Sequence, residues 1–197
     1  MPRKKSGRKA ACVFRSKLDR IEAFVSEVAA SPLSDQACTW AYEAAIIKTS
    51  VAFEHLMLDC IVTAINNDTE TIAHTTGVAF PKHLTDEVCY YLVTGGGFFD
   101  FRGRDGLIKK FKDFVADEHW LVQVVKKPKY KTPLNRLFAL RNFAAHESRV
   151  GKRALLATVD QTRVSSAGTW LKTQGRFEKL LSDLHNLADD IETSWPY

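Results

Sequence analysis

Between Ser34 and Asn66, apolar side chains recur every three or four residues: Trp40, Ala44, Ile47, Val51, Leu58, Ile61 and Ile65, with Glu54 on the same line. Spacing of three and four returns a side chain to one side of an α-helix, whereas a strand needs spacing of two. The pattern predicts one long helix, with Ser34 as its N-cap and Asn66-Asn67-Asp68 as its end. Glu43, Lys48, Glu54 and Asp59 interrupt its apolar character, so it does not read as a membrane span.

The rest of the chain is helical in pattern nearly throughout. Leu18, Ile21, Phe24 or Val25, and Val28 mark a helix that stops near Ser31-Pro32. Residues 67–82 are rich in turn formers, a shorter helix is predicted from His83 to Val93, and a flexible loop follows from Thr94 to Arg104. Asp105 is placed to cap a helix reaching about Trp120. Leu121 to Val125 fits a strand or a last helical turn, and residues 126–133 form a basic connector. A helix starts after Thr132, with Pro133 at its first position, where a missing N–H costs nothing, and runs to about Ser148. Residues 154–169 fit no single pattern, and residues 175–193 form a final amphipathic helix. The expectation is an all-α chain of five or six helices with a short irregular segment, in one domain over residues 16–197. Residues 1–15 are expected to be a disordered basic arm, since the first ten hold five basic and no acidic side chains.

A chain of 197 residues buries roughly 70% of its unfolded surface, so it needs no disulfide or structural metal. Cys12, Cys38, Cys60 and Cys89 are widely spaced without a CxxC, which suits reduced thiols in a cytoplasmic protein. No apolar segment follows the basic N-terminus, so no secretory signal is expected. The formal net charge of +5 is unevenly spread: residues 11–101 carry −7, residues 102–153 carry +9 and residues 154–197 carry −2. The basic segment points to an acidic partner. Within it Lys126, Lys127, Lys129 and Lys131, with Tyr130 among them, read as a track for an RNA backbone or as a solvated connector. Thr94-Gly95-Gly96-Gly97 lacks the GK[ST] of a phosphate loop. His55, His74, His83, His119 and His185 lack ligand spacing, so neither metal nor cofactor is expected. Phe98, Phe99 and Phe101 suit anchoring in the core.

The helix from Leu134 to Ser148 carries the chemistry. At 100° per residue, Leu134, Leu137, Phe138, Ala144 and Ala145 form an apolar stripe with Arg141 at its centre. Asn142, Asn135 and His146 fall at about 80°, 100° and 120°, a narrow polar edge beside it. An arginine on a core-facing stripe needs a partner, because a buried unpaired charge is too costly. Glu54 is the acid similarly placed, so Glu54 is expected to approach Arg141. Two readings of that pair stand. It is a structural ion pair fixing helix register, or it belongs to a polar pocket where Arg141, His146 and a polar neighbour act on a phosphate. Imidazole suits proton transfer near neutrality, and a guanidinium fork suits phosphate.

Arg141-Asn-Phe-Ala-Ala-His146, set in LFALRNFAAHES after a long helix containing AFEHLMLD, resembles the R-x(4–6)-H signature of the HEPN superfamily of ribonucleases and nucleotide-binding proteins. The similarity spans roughly residues 35–193, with residues 141–146 diagnostic, and is closest to bacterial stand-alone and toxin-type members. The resemblance implies a HEPN-like helical bundle and a metal-independent endoribonuclease of toxin or anti-phage type. It implies a homodimer in which two motif helices face each other across a composite site, with RNA as substrate and an antitoxin as a further partner. His146 would act as general base on the ribose 2′-hydroxyl or as acid on the leaving oxygen. Arg141 would hold the scissile phosphate, Asn142 would orient phosphate or histidine, and Glu54 would contribute from the earlier helix. Products would be a 2′,3′-cyclic phosphate and a 5′-hydroxyl. Some family members only bind nucleotides or proteins, which leaves a non-catalytic binding module as the alternative.

Overall fold

The computed structural model describes residues 5–196, which form ten α-helices and a 3₁₀ turn with no strand among them. In chain order these are α1 (Gly7–Ala30), α2 (Asp35–Asn67), α3 (Glu70–Thr76), α4 (Asp86–Thr94), α5 (Gly103–Lys112), α6 (Trp120–Lys126), the 3₁₀ turn Pro128–Tyr130, α7 (Lys131–His146), α8 (Arg149–Val159), α9 (Ala167–Leu171) and α10 (Arg176–Ser194). The number exceeds the expected five or six by α8, which begins in the unassigned stretch after Ser148, and by α3, α6 and α9, which are only 7, 7 and 5 residues long. Such segments hold two turns or fewer, too few for an apolar repeat to show. Three of the shorter helices start on a side-chain cap: Thr85 Oγ1 accepts the Val88 N–H ahead of α4, His119 Nδ1 the Leu121 N–H ahead of α6, and Ser166 Oγ the Thr169 N–H at α9. Asp105, expected as a cap, lies inside the first turn of α5.

Ser34 caps α2 as its position predicts, its Oγ accepting the Ala37 N–H at 3.2 Å. The face that α2 buries differs from the expected one. Trp40 is 62% exposed and Val51 38% exposed, whereas Tyr42, Ala45, Ile46, Thr49 and Phe53 are buried. From Leu56 to Asn66 every side chain except Asp59 is buried. A helix this apolar offers more than one line at helical spacing, and its neighbours decide which line is covered. Those neighbours are α1, α4, α7 and α9.

The basic arm expected over residues 1–15 is corrected for residues 7–15, which form the first turns of α1; the first four residues lie outside the described ones. Ala11, Phe14 and Leu18 supply a buried line at helical spacing, which draws the segment into the core despite its charge. Arg15 reaches across to α10, pairing with Asp189 at 2.7 Å and with Glu192. Gly7 lies against the Trp195 indole so closely that a Cβ there would sit 2.4 Å from the ring.

Two further contacts set the position of α7. Arg104, buried on α5, donates to the carbonyl oxygens of Val125 and Lys126 and so closes the C-terminal end of α6. Asp190 on α10 accepts from Lys127 at 3.0 Å, Lys129 at 2.8 Å and the Tyr130 hydroxyl. Burial works to raise the Asp190 carboxyl, but the hydrogen bonds from Lys129, Tyr130 and Lys127 outweigh it and bring the pKa down to about 2. Burial and the bond to Asp190 push the Tyr130 phenol well above its ordinary range. Because Asp190 titrates lower in the folded chain than in the unfolded one, its stabilisation is complete above about pH 4 and is lost as the pH falls through about 2.

Asp190→Asn should cost about 1–2 kcal/mol at neutral pH after allowance for solvent screening, and should flatten the acid limb of stability. Urea unfolding of wild type and variant between neutrality and acid checks both, and a constant difference across the range overturns the assignment. At the crossing of α2 and α9, a Cβ on Gly168 would lie 2.0 Å from the Thr39 carbonyl oxygen. Gly168→Ala should therefore lower stability by more than about 2 kcal/mol, read from the same unfolding curves.

Candidate functional site

Helix α7 buries Leu134, Leu137, Phe138, Leu140 and Phe143, then emerges from the core over its last turns. Ala144 is only partly covered, and Ala145 and His146 are exposed. Arg141 lies on the inward arc of the helix, as the periodicity predicts, but at the level where the core ends. It is therefore half-buried, with room for its guanidinium to reach solvent. His146 is the last residue of α7; Glu147 follows in the left-handed region at φ 44 and turns the chain into α8.

Arg141 Nη1 donates to Asn142 Oδ1 at 3.1 Å, and Arg141 Nε is buried without a hydrogen-bond partner. Both residues line a cavity of 160 Å³ together with Glu54, Asp100, Arg102 and Phe138. The expected approach of Glu54 to Arg141 is thus one of shared surroundings, since no ion pair within 4.0 Å joins them. Glu54 instead accepts from Ser50 Oγ at 3.4 Å, one turn earlier on α2. Burial raises the Glu54 carboxyl, and the Arg141 charge and the Ser50 bond only partly counter it.

Asp100 and Arg102 belong to the site and carry no signal in the sequence, because they sit in the loop between α4 and α5, where no period applies. Aromatic packing brings them there. Phe101 stacks edge-on against Phe138 of α7 with centroids 5.1 Å apart, and against Phe53 of α2 at 6.4 Å. Phe99 is buried beside it, 5.1 Å away, as core anchoring predicts, whereas Phe98 is 95% exposed. The two anchored rings hold the loop against α7, so the residues flanking Phe101 face Arg141.

His146 is not part of the cavity lining, so the structure brings Arg141, Asn142 and Glu54 together and leaves His146 exposed at the end of the same helix. A second groove, of 470 Å³, shares Gly103, Phe138 and Asn142 with the cavity and extends along α7 past Asn135 to Lys131. Asn135 is held by the Arg104 backbone N–H at 3.3 Å. The four lysines separate into two groups. Lys126 pairs with Asp117 at 2.6 Å, and Lys127 and Lys129 pair with Asp190, so those three are partly neutralised within the chain. Lys131 has no ion pair among the described residues and opens onto the groove. No group of three or more His, Cys, Asp or Glu side chains among the described residues is arranged to hold a metal ion, and no described helix is long and apolar enough to cross a membrane.

No protein-family model, curated protein or solved structure matches the chain.

The raised carboxyl gives Glu54 a defined pH signature. Above its folded pKa the ionised group opposes folding, and below the ordinary glutamate range it is neutral in both states and the penalty vanishes. Glu54→Gln should therefore melt no lower than wild type at pH 7, with any advantage shrinking as the pH falls. A clear loss of melting temperature at pH 7 would instead make Glu54 a structural partner of Arg141.

Proposed function

We propose that the chain is a HEPN-like, metal-independent endoribonuclease in which Arg141 and His146 act on one phosphodiester. The observation that supports this most is the exit of α7 from the core. It leaves an arginine with an unpartnered Nε, hydrogen-bonded to the neighbouring asparagine, one and a half turns from an exposed histidine. A structural arginine on a core arc would be consumed by its acid; Arg141 has no direct ion pair among the described residues and lines the cavity.

In this reading Arg141 binds the scissile phosphate and the charge that develops on it. Asn142 fixes the guanidinium, and His146 removes the 2′-hydroxyl proton or protonates the leaving 5′-oxygen. Attack of the 2′-oxygen on phosphorus breaks the bond to the 5′-oxygen and leaves a 2′,3′-cyclic phosphate and a 5′-hydroxyl. Glu54 and Asp100 place negative charge on the far side of the cavity and orient Arg141 from a distance. Lys131 and the groove along α7 offer a path for the adjoining backbone. A second copy of the chain, docked so that two α7 ends face each other, would bring both His146 side chains to the same substrate in a self-complementary dimer. Toxin or anti-phage action, with an antitoxin partner, follows from the family resemblance at residues 141–146.

A non-catalytic module that binds RNA, nucleotide or a protein has one observation in its favour: His146 stands outside the cavity that holds Arg141. Incubation with RNA in EDTA separates the readings. Cleavage to cyclic-phosphate ends is expected, with His146→Ala and Arg141→Ala each lowering the rate by on the order of a hundredfold to ten-thousandfold. Cleavage that survives His146→Ala, or that stops in EDTA, rejects the ribonuclease.

A further inference from the structure

The opposite face of α7 borders a different cavity, of 270 Å³, whose wall includes Arg136, Trp170, Gln174, Arg176, Lys179 and Asp183. Trp170 is 7% exposed, and two guanidinium groups flank its ring, Arg176 at 4.8 Å and Arg136 at 5.9 Å from the centroid. The two arginines are not equivalent. Arg176 is spent on the chain, donating to the Trp170 carbonyl oxygen at 3.2 Å and to Gln174 Oε1 at 2.8 Å. The Arg136 side chain makes no hydrogen bond or ion pair among the described residues, and its Nε is buried without a partner there. Trp170 Nε1 is likewise buried and unpartnered. The acid on this wall, Asp183, is engaged by Lys179 at 2.5 Å and does not neutralise Arg136. At the same place α10 begins on Gly175, in the left-handed region at φ 63, with no side chain capping its first turn.

A half-buried guanidinium with no anion and the uncapped start of α10, whose first turn carries Glu178, border one cavity. The guanidinium favours negative charge, and its planar fork matches a phosphate group. The volume lies at the lower end of ligand pockets, which suits a small molecule rather than a polymer. We propose that this cavity is a binding site for a small phosphate-bearing ligand, with Arg136 as the principal contact and backbone N–H groups at the start of α10 beside it. The site lies across α7 from Arg141 and stands independently of the ribonuclease reading.

Calorimetric titration of the full chain with inorganic phosphate, 5′-AMP, adenosine and sodium acetate at matched ionic strength tests it. A phosphate-dependent site that Arg136 controls is expected, silent to acetate and adenosine and distinct from any phosphate held by Arg141. Tighter binding of 5′-AMP than of inorganic phosphate would assign the group to an ester, and the reverse order to the free ion; either supports the site. Arg136→Gln should weaken binding by about tenfold or more, and Arg136→Lys, which keeps the charge but not the fork, by less. Arg141→Gln should leave this isotherm in place. Equal binding of adenosine and 5′-AMP, a response to acetate like that to phosphate, or an isotherm lost with Arg141→Gln and kept with Arg136→Gln overturns the proposal. Circular dichroism of each variant confirms that a lost isotherm is not a lost fold.

Discussion

Burial of α2 between Leu56 and Asn66, at every position but Asp59, is the constraint on which the other helices depend. A helix satisfies its own backbone hydrogen bonds, so it can be surrounded by apolar partners without stranding polar groups. The hydroxyls on α2 obey the same rule: Thr39, Thr49 and Thr63 each donate to the carbonyl oxygen four residues earlier. What remains is to cover the helix, and α1, α4, α7 and α9 do so. Coverage of this kind requires close approach, which is why α9 crosses at a glycine: at Gly168 the backbone of α2 occupies the place of a side chain, and the Gly168 N–H donates to Glu43 Oε1.

Helical class was legible wherever the apolar period ran for three turns or more, as in α1, α2, α7 and α10. It was not legible in α3, α6, α8 and α9, whose lengths or mixed residues left the period unclear. Direction was harder to read than existence. In α2 the line through Trp40 and Val51 and the line through Tyr42, Ile46 and Phe53 both have helical spacing, and only tertiary contacts distinguish them. The arm expected over the first residues shows the opposite error. Five basic side chains dominated its composition, yet Gly7, Ala11 and Phe14 are buried and seat residues 7–15 on the core as one face of α1, while Arg8 and Lys9 stay exposed.

The candidate site divides the same way. Arg141 and Asn142 were legible from their places on one helix, and Glu54 from its departure from an apolar line. Asp100 and Arg102 were not, because their positions depend on Phe101 packing between Phe53 and Phe138. The basic tract was legible as charge but not as availability. Asp117 and Asp190, distant in sequence from most of those lysines, had to be placed in space before three of the four could be seen to be engaged. A net charge locates an electrostatic field; it does not say which cations are free to bind.

The contact of α1 with the last helix has a consequence for biosynthesis. Arg15 meets Asp189 and Glu192 across 174 and 177 residues of chain, and Gly7 seats against Trp195. While the chain is being made, α1 can lie on α2 as soon as both have left the ribosome, but its other side stays wet until α10 emerges. Helix α1, made before α10, is thus among the last of these helices to be fully enclosed. Until then Phe14 can pack on Phe53 of α2, but the side of α1 that α10 covers is left open, a state of the kind that holding chaperones recognise.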